Sequence, residues 1–295
     1  MKPPAFHYFD PATVAEAIDL LRHNENAKIL AGGQSLMPML NMRFVLPDAL
    51  IDLNKIKDLS YIRRGTDAFE IGAMTRQRDI EFSPEIRADC PIVIEAIENV
   101  GHRQTRNRGT IGGSLCHLDP AAELVTVATV LDGTVEVMGP EGRRDIDFRA
   151  FPAGYMAPAI DMNELVTGIR LPVWSKTHGH AFVEFARRHG DFALASVAAL
   201  IDVDSEGRIA RAAVAIGGVA SVPLRMPEIE AGLVGQAAGD DLFQRVSRVC
   251  ETIEAVDDAH VPASYRRHLA GVLSFRALRL ASMRAQKRRD SGVLQ

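Results

Sequence analysis

Cysteine is scarce in this chain: Cys90, Cys116 and Cys250 are its 3 thiols, far apart and without Cys-x-x-Cys spacing. Scattered in this way they cannot supply the four ligands of an ordinary iron–sulfur cluster. They read as reduced, structural side chains, so any redox chemistry here must use an organic cofactor. An excess of positive charge is also missing, because 34 Lys and Arg are outweighed by 38 Asp and Glu, for a formal net charge of −4. Composition therefore offers no case for nucleic acid as a partner. No uninterrupted apolar run approaches the roughly 20 residues needed to span a bilayer. The opening residues Met1 to Asp10 lack the apolar stretch of a signal peptide, and a cytoplasmic location is expected. Internal repeats and low-complexity tracts are absent.

What is present is a chain of 295 residues, 47% hydrophobic and 24% charged, long enough for two domains or one large two-part domain without staples. Residues Thr13 to His23 place Val14, Ala17, Ile18 and Leu21 at helical spacing. The run Lys28 to Ala31 reads as a buried strand ended by Gly32 and Gly33, and Ala49 to Leu53 as a second strand, giving a small β-α-β-like lobe. Beyond Tyr61, strands are expected at Ala68 to Ala73, Thr134 to Met138 and Leu165 to Leu171. Helices are expected at Thr75 to Phe82, Ile92 to Val100 and Ala121 to Leu131. Pro172 to His180 has the composition of a connector. Val197 to Val203 and Ile209 to Ile216 form a hairpin over Asp204 to Gly207. Asp241 to Val256 and Tyr265 to Arg288 read as helices, with the basic stretch Arg284 to Arg289 as a solvated helix end.

Two glycine corners carry the chemical interest. In Ala31-Gly32-Gly33-Gln34-Ser35-Leu36 the missing Cβ atoms permit φ > 0 and let successive backbone N–H groups face one concavity. Such a nest suits a diphosphate, with Ser35 adding a hydroxyl; its spacing is neither G-x-G-x-x-G nor a Walker loop. The second corner, Gly109-Thr110-Ile111-Gly112-Gly113-Ser114, follows the basic run Arg106-Asn107-Arg108 and lets backbone approach something flat or anionic. Either corner alone is also an ordinary turn. Glu123 follows at the start of an apolar helix, where a carboxylate serves the helix N-terminus or accepts hydrogen bonds from sugar or ribityl hydroxyls.

As an ordered set, Ala31 to Pro38, Arg106 to Ser114, Asp119 to Leu124, Ala186 to Ala193 and Tyr265 to Ala270 cover nearly the whole chain. They resemble the FAD-binding (medium) subunit of molybdenum hydroxylases, the relatives of carbon monoxide dehydrogenase and xanthine dehydrogenase. The resemblance implies an α+β fold: a vanillyl-alcohol-oxidase-type FAD-binding domain of two α/β subdomains, then a small α+β C-terminal domain. It places these domains at 1–175 (subdomains about 1–57 and 58–175) and 178–288. It implies that Ile29, Leu30, Ala31, Gly32, Gly33, Gln34, Ser35 and Leu36 wrap the diphosphate and adjoining parts of FAD. Val100, Gly101, Thr105, Gly109, Thr110, Gly112, Gly113 and Ser114 fall near the cofactor. Glu123 matches the position that holds ribityl hydroxyls, and Leu165 and Val166 lie against the rings. The implied partners are a large subunit with the molybdenum cofactor and a small subunit with [2Fe-2S] clusters, in a dimer of heterotrimers. The implied role is electron relay, with no residue of this chain as a catalytic base.

Some relatives carry a lysine near Val183 and Glu184; here Glu184 stands, which leaves the tuning of the flavin and its acceptor open. His117 and Cys116, beside the second corner, read as packed side chains rather than attachment points. Arg187 to Asp191 either closes over the flavin or caps a turn. Two rival readings stay in play: a self-sufficient flavin oxidase or reductase of the same fold, and a cofactor-free interaction subunit whose glycines only turn corners.

Overall fold

The computed structural model describes residues 1–259 and 261–292. The N-terminal lobe is a parallel sheet in which His7–Phe9 and Ala27–Leu30 flank Ala49–Asp52. Its helix, Val14–His23, starts where the Thr13 hydroxyl accepts the Glu16 amide at 3.2 Å and the Glu16 carboxylate accepts the Ala12 amide at 2.7 Å. This reciprocal arrangement is close to a capping box. Ala17, Ile18 and Leu21 then bury against Ile51 and Leu53. A short helix, Leu36–Asn41, follows the first glycine corner.

Next comes a five-stranded antiparallel sheet in the order Ile62–Arg64, Ala68–Gly72, Leu165–Pro172, Thr134–Gly139, Gly142–Asp147. Gly142–Asp147 buries only Ile146. A charged edge strand of this kind resists further pairing and carries no apolar alternation to announce it. Helices Pro91–Asn99 and Glu123–Val130 cover the sheet, with Ile92, Ile97, Val125 and Val127 packed into one core with Ile71, Val135 and Ile169. Helix Glu123–Val130 is buried at every position after its first, because a second sheet covers its other side.

That second sheet has the order Gly179–Phe185, Ala195–Val203, Ile209–Gly217, Leu224–Arg225, all antiparallel. Phe182, Ala198, Leu200, Ala213 and Ala215 face the N-terminal core. The alternate residues, among them Val197, Ala199, Ile201 and Val214, face Leu273, Ala277 and Leu278 of the long helix Ala263–Gly292. Burial on both faces explains why these strands read as continuous apolar runs.

Three expectations change. The connector is shorter than its composition suggests, since a strand already begins at Gly179. The single helix expected over Asp241 to Val256 is an α-helix, Asp240–Ser247, followed by a 3₁₀ turn, Arg248–Thr252. Ser247, Cys250 and Ile253 are buried at a spacing of three, which a three-residue turn aligns on one face. The basic helix end is not simply solvated: Arg284 donates to the His180 carbonyl at 2.7 Å and Arg288 to the His178 carbonyl at 2.9 Å.

Arg284 also meets Glu95 at 2.6 Å, on the helix Pro91–Asn99. The same carboxylate accepts the Phe182 amide at 3.0 Å and faces His180 Nε2 at 3.5 Å. Burial alone would raise the Glu95 carboxyl, but the His180 hydrogen bond, with Phe182 and Arg284, outweighs it and holds the group below the usual range. Glu95→Gln is therefore expected to cost about 1.5–3 kcal/mol in urea unfolding at pH 7. A depressed carboxyl contributes above its unfolded pKa, about 4.3, so the two proteins converge in stability as pH falls below that value. Equal stability at pH 7 would refute the role given to Glu95.

Candidate cofactor-binding cleft

The two glycine corners, far apart in the chain, touch. A Cβ added to Gly32 would lie 2.4 Å from the Arg108 carbonyl oxygen and 2.8 Å from Gly109 Cα. One added to Gly113 would lie 3.4 Å from Ala31 Cβ. Asn54 and Arg76 tie the corners together. The Asn54 amide donates to the Ala31 carbonyl at 3.1 Å, while the Arg76 guanidinium donates to Asn54 Oδ1 and to the Arg108 carbonyl. Burial and the neighbouring Arg108 charge hold Arg76 below its usual pKa.

The corners differ in what they offer. At the first, Gly33 is left-handed (φ +72°), and helix Leu36–Asn41 begins directly after Ser35. Among the described residues, the amides of Gly32, Gly33, Gln34 and Ser35 donate to no group of the chain, and the Ser35 side chain makes no cap. Four unspent donors around a left-handed glycine make an anion nest. At the second corner the donors are spent inside the protein. Gly109 N donates to the Thr105 carbonyl, Ile111 N to Thr75, Gly112 N to Ala73, and Gly113 N to the Thr110 hydroxyl. What reads in sequence as a turn throughout is, from Ile111 to His117, a helix capped by Thr110. This corner presents a smooth wall rather than donors.

Between them lies a cleft of about 900 Å³, within the range of sites that hold large ligands. Every sequence-nominated position lines it except Leu30, whose side chain packs beside Gly33. Val100, Gly101 and Thr105 form one side, Leu165 and Val166 the strand wall, and Glu123 the start of the buried helix. Glu123 is partly exposed at this wall; desolvation, then its neighbours Glu184 and Asp119, push its carboxyl up to about 8 despite a hydrogen bond from its own amide. Gln77 Oε1, also in the wall, is buried without a partner. Burial pushes the Cys116 thiol up to about 12 and holds His117 below its ordinary value, as the packed reading expects.

Sequence reasoning missed the loop that supplies Met156, Ile160 and Met162 to the wall. It also missed Asn54 and Arg76, which no local motif marks. Arg187 to Asp191 combines its two alternatives: Asp191 N closes a turn on the Arg188 carbonyl, and Gly190, Asp191 and Phe192 border the cleft. The free amide nest, the unpartnered Gln77 oxygen and the desolvated Glu123 suit a long ligand with an anionic middle and hydroxyls beside it.

Residues 4–174 match the family described as the FAD binding domain in molybdopterin dehydrogenase, and residues 180–281 match the CO dehydrogenase flavoprotein C-terminal domain. The 6-hydroxypseudooxynicotine dehydrogenase complex subunit alpha of Paenarthrobacter nicotinovorans is 36% identical over 293 residues, 99% of each chain. The carbon monoxide dehydrogenase medium chain of Afipia carboxidovorans is 37% identical, covering 97% of this chain and all of that one. Among solved structures, a carbon monoxide dehydrogenase from Hydrogenophaga pseudoflava lacking the Mo-pyranopterin moiety superimposes with a TM-score of 0.93 at 35% identity. The match covers 96% of this chain and 99% of that one.

The chain belongs to the family of FAD-binding medium subunits of molybdenum hydroxylases. It is an oxidoreductase subunit with FAD as its cofactor, and its α+β fold is the family's vanillyl-alcohol-oxidase-type domain followed by a smaller C-terminal one. Among the described residues, no helix is long and apolar enough to cross a membrane.

Contact between the corners yields a direct test. Gly32→Ala drives a methyl group into the Arg108 carbonyl and is expected to cost about 1–3 kcal/mol of stability, with loss of flavin from the purified protein. An unchanged unfolding midpoint with full flavin content would show that the corners do not meet.

Proposed function

We propose that FAD lies across the contact between the two glycine corners and relays electrons within a molybdenum hydroxylase complex. In this reading the first corner's free amides and Ser35 hold the diphosphate, with Ile29 to Leu36 wrapped around it. Val100, Gly101, Thr105, Gly109, Thr110, Gly112, Gly113 and Ser114 flank the cofactor. Glu123 meets the ribityl hydroxyls, and Leu165 and Val166 lie against the rings. FAD supplies the electron-carrying chemistry; the chain orients it, keeps water from it and holds protons beside it. The observation that carries the reading is the convergence of the corners on one cleft with unspent amide donors.

The three cysteines are free, two of them buried, so clusters belong to a partner. A small subunit with [2Fe-2S] clusters delivers electrons, a large subunit with the molybdenum cofactor hydroxylates the organic substrate, and an external acceptor takes the electrons. The assembly is a cytoplasmic dimer of heterotrimers, with 1–175 of this chain as the FAD domain (subdomains about 1–57 and 58–175) and 178–288 as the C-terminal domain. One observation favours a rival: Glu123 is a carboxyl of raised pKa beside the cleft, the kind of group a self-sufficient oxidase needs.

Purification decides between them. The expected chain is yellow, holds about one FAD, and travels with subunits carrying iron–sulfur absorption and molybdenum. On its own it turns over no organic substrate. A protein that stays colourless with added FAD overturns the reading, and substrate oxidation by the isolated chain favours the rival. Because Glu123 is largely protonated at pH 7, its hydrogen bonds to hydroxyls are ordinary ones, worth about 0.5–1.5 kcal/mol each. Glu123→Ala is expected to weaken FAD binding roughly two- to tenfold in a fluorescence titration; unchanged affinity leaves it only a helix-start role.

A further inference from the structure

The long helix Ala263–Gly292 bounds a second hollow, on the side where it meets helix Asp240–Ser247 and the 3₁₀ turn after it. Asp240, Gln244, Ser247, Arg248 and Glu251 recur at intervals of three or four residues and form one bank. Ser264, Arg267, His268, Gly271, Val272 and Phe275 recur in the same way on the long helix and form the other. Between the banks runs a groove of about 670 Å³, roughly 16 Å long at the helical rise per residue. It shares no residue with the flavin cleft. The banks run in opposite directions, because Asp240 pairs with Arg279 at 3.4 Å while a Cβ added to Gly271 would lie 3.5 Å from the Ser247 carbonyl oxygen. Val272 and Phe275 therefore lie toward the Asp240 end, and Arg248, Arg267 and His268 toward the other.

The groups around the groove are unevenly spent. Asp240, at the apolar end, is committed to Arg279. At the other end Arg248 and Arg267 make no hydrogen bond or ion pair among the described residues. Two guanidiniums there face one carboxylate, Glu251, and the His268 ring stacks on Tyr265 with centroids 6.2 Å apart. Between the ends Ser247 is buried, and its hydroxyl has no hydrogen-bond partner. A hidden hydroxyl without a partner is destabilising unless something entering the groove satisfies it. Gly271 stands opposite. A methyl group there would meet only ordinary contacts, so packing does not demand glycine, which weakens a helix interior. Its effect is to keep the groove open.

We propose that this groove is a second binding site, for one small amphiphilic organic anion: a carboxylate or similar oxyanion carried on an apolar chain or ring. The head group lies between Arg248 and Arg267, where charge-assisted hydrogen bonds reward a planar oxyanion, and the Ser247 hydroxyl turns to donate to it. Ser264, in the first turn of the long helix, places the positive end of that helix at the same end of the groove. The apolar body lies along Gly271, Val272 and Phe275. The volume falls in the range of small-molecule sites. The unspent donors gather at one end, as a single head group requires, rather than along both banks as an extended polypeptide would use them.

The test uses the full-length chain with FAD bound, so that the flavin cleft offers no rival site. Decanoate and 2-naphthoate are titrated by calorimetry as the chain and ring probes, with decanol as the uncharged counterpart of the first. Saturable binding of either acid at one per chain is expected, and decanoate should bind at least about tenfold more tightly than decanol. Replacing both cations, Arg248→Ala with Arg267→Ala, removes charge-assisted bonds and should weaken the acid by about tenfold or more while flavin content stays at the wild-type level. Gly271→Leu fills the groove and should abolish binding. If that variant does not fold, as judged by thermal unfolding, the arginine variant decides. No saturable binding of either acid overturns the proposal, as do equal affinities for decanoate and decanol or an unchanged affinity in the arginine variant. If neither acid binds and Gly271→Leu instead loses a subunit that travels with the wild-type chain, the groove docks a polypeptide and the small-anion site falls.

Discussion

The backbone of Gly32 lies against the Arg108–Gly109 peptide, and the cleft depends on that contact. No side chain fits between the two corners, so their approach is set by backbone against backbone, the least adjustable packing a protein has. Asn54 and Arg76 then fix the corners in orientation, one through the Ala31 carbonyl and the other through the Arg108 carbonyl. Even a half-buried guanidinium such as that of Arg76 loses part of its hydration. Here it is spent on two acceptors that would otherwise lack partners, one belonging to each corner's support.

Around this contact the rest of the fold divides labour. The parallel lobe delivers a strand whose end becomes an open amide nest. The antiparallel sheet and helix Ile111–His117 present a closed wall with its donors consumed internally. Helix Glu123–Val130, pressed between two sheets, brings the only carboxyl of its length to the cleft at its first residue, where desolvation raises it and its own amide is the one group that lowers it. Donor-rich on one side, smooth on the other and proton-bearing at the end, the cleft is shaped for a ligand whose parts differ in the same order.

How much of this the sequence revealed follows from the range over which each signal acts. Glycine corners are legible because an absent Cβ is written in the residue itself, and so are the two-faced apolar strands, whose runs need no partner to be seen. Helix Ile111–His117 was hidden because Gly112 and Gly113 argue locally for a turn, while its stability comes from Thr110 capping and from bonds to residues 73–77. Asn54 and Arg76 were invisible for a different reason: they bond each other across 22 residues, and each reaches a corner through a distant main-chain carbonyl, which carries no residue identity. The same holds for Arg284 and Arg288. Their bland appearance at a helix end concealed two backbone acceptors, the His180 carbonyl in strand Gly179–Phe185 and the His178 carbonyl just before it.

The double-sided burial of the second sheet has a consequence for biosynthesis. Its third strand ends at Gly217, but the helix that covers its outer face closes at Gly292, so 75 residues separate the two. At about 5–20 residues per second of translation, the sheet waits roughly 4–15 seconds with Val197, Ile201 and Val214 bare to water. A nascent chain holding an uncovered apolar sheet for that long is a substrate for chaperones, and its yield in a foreign host will depend on them.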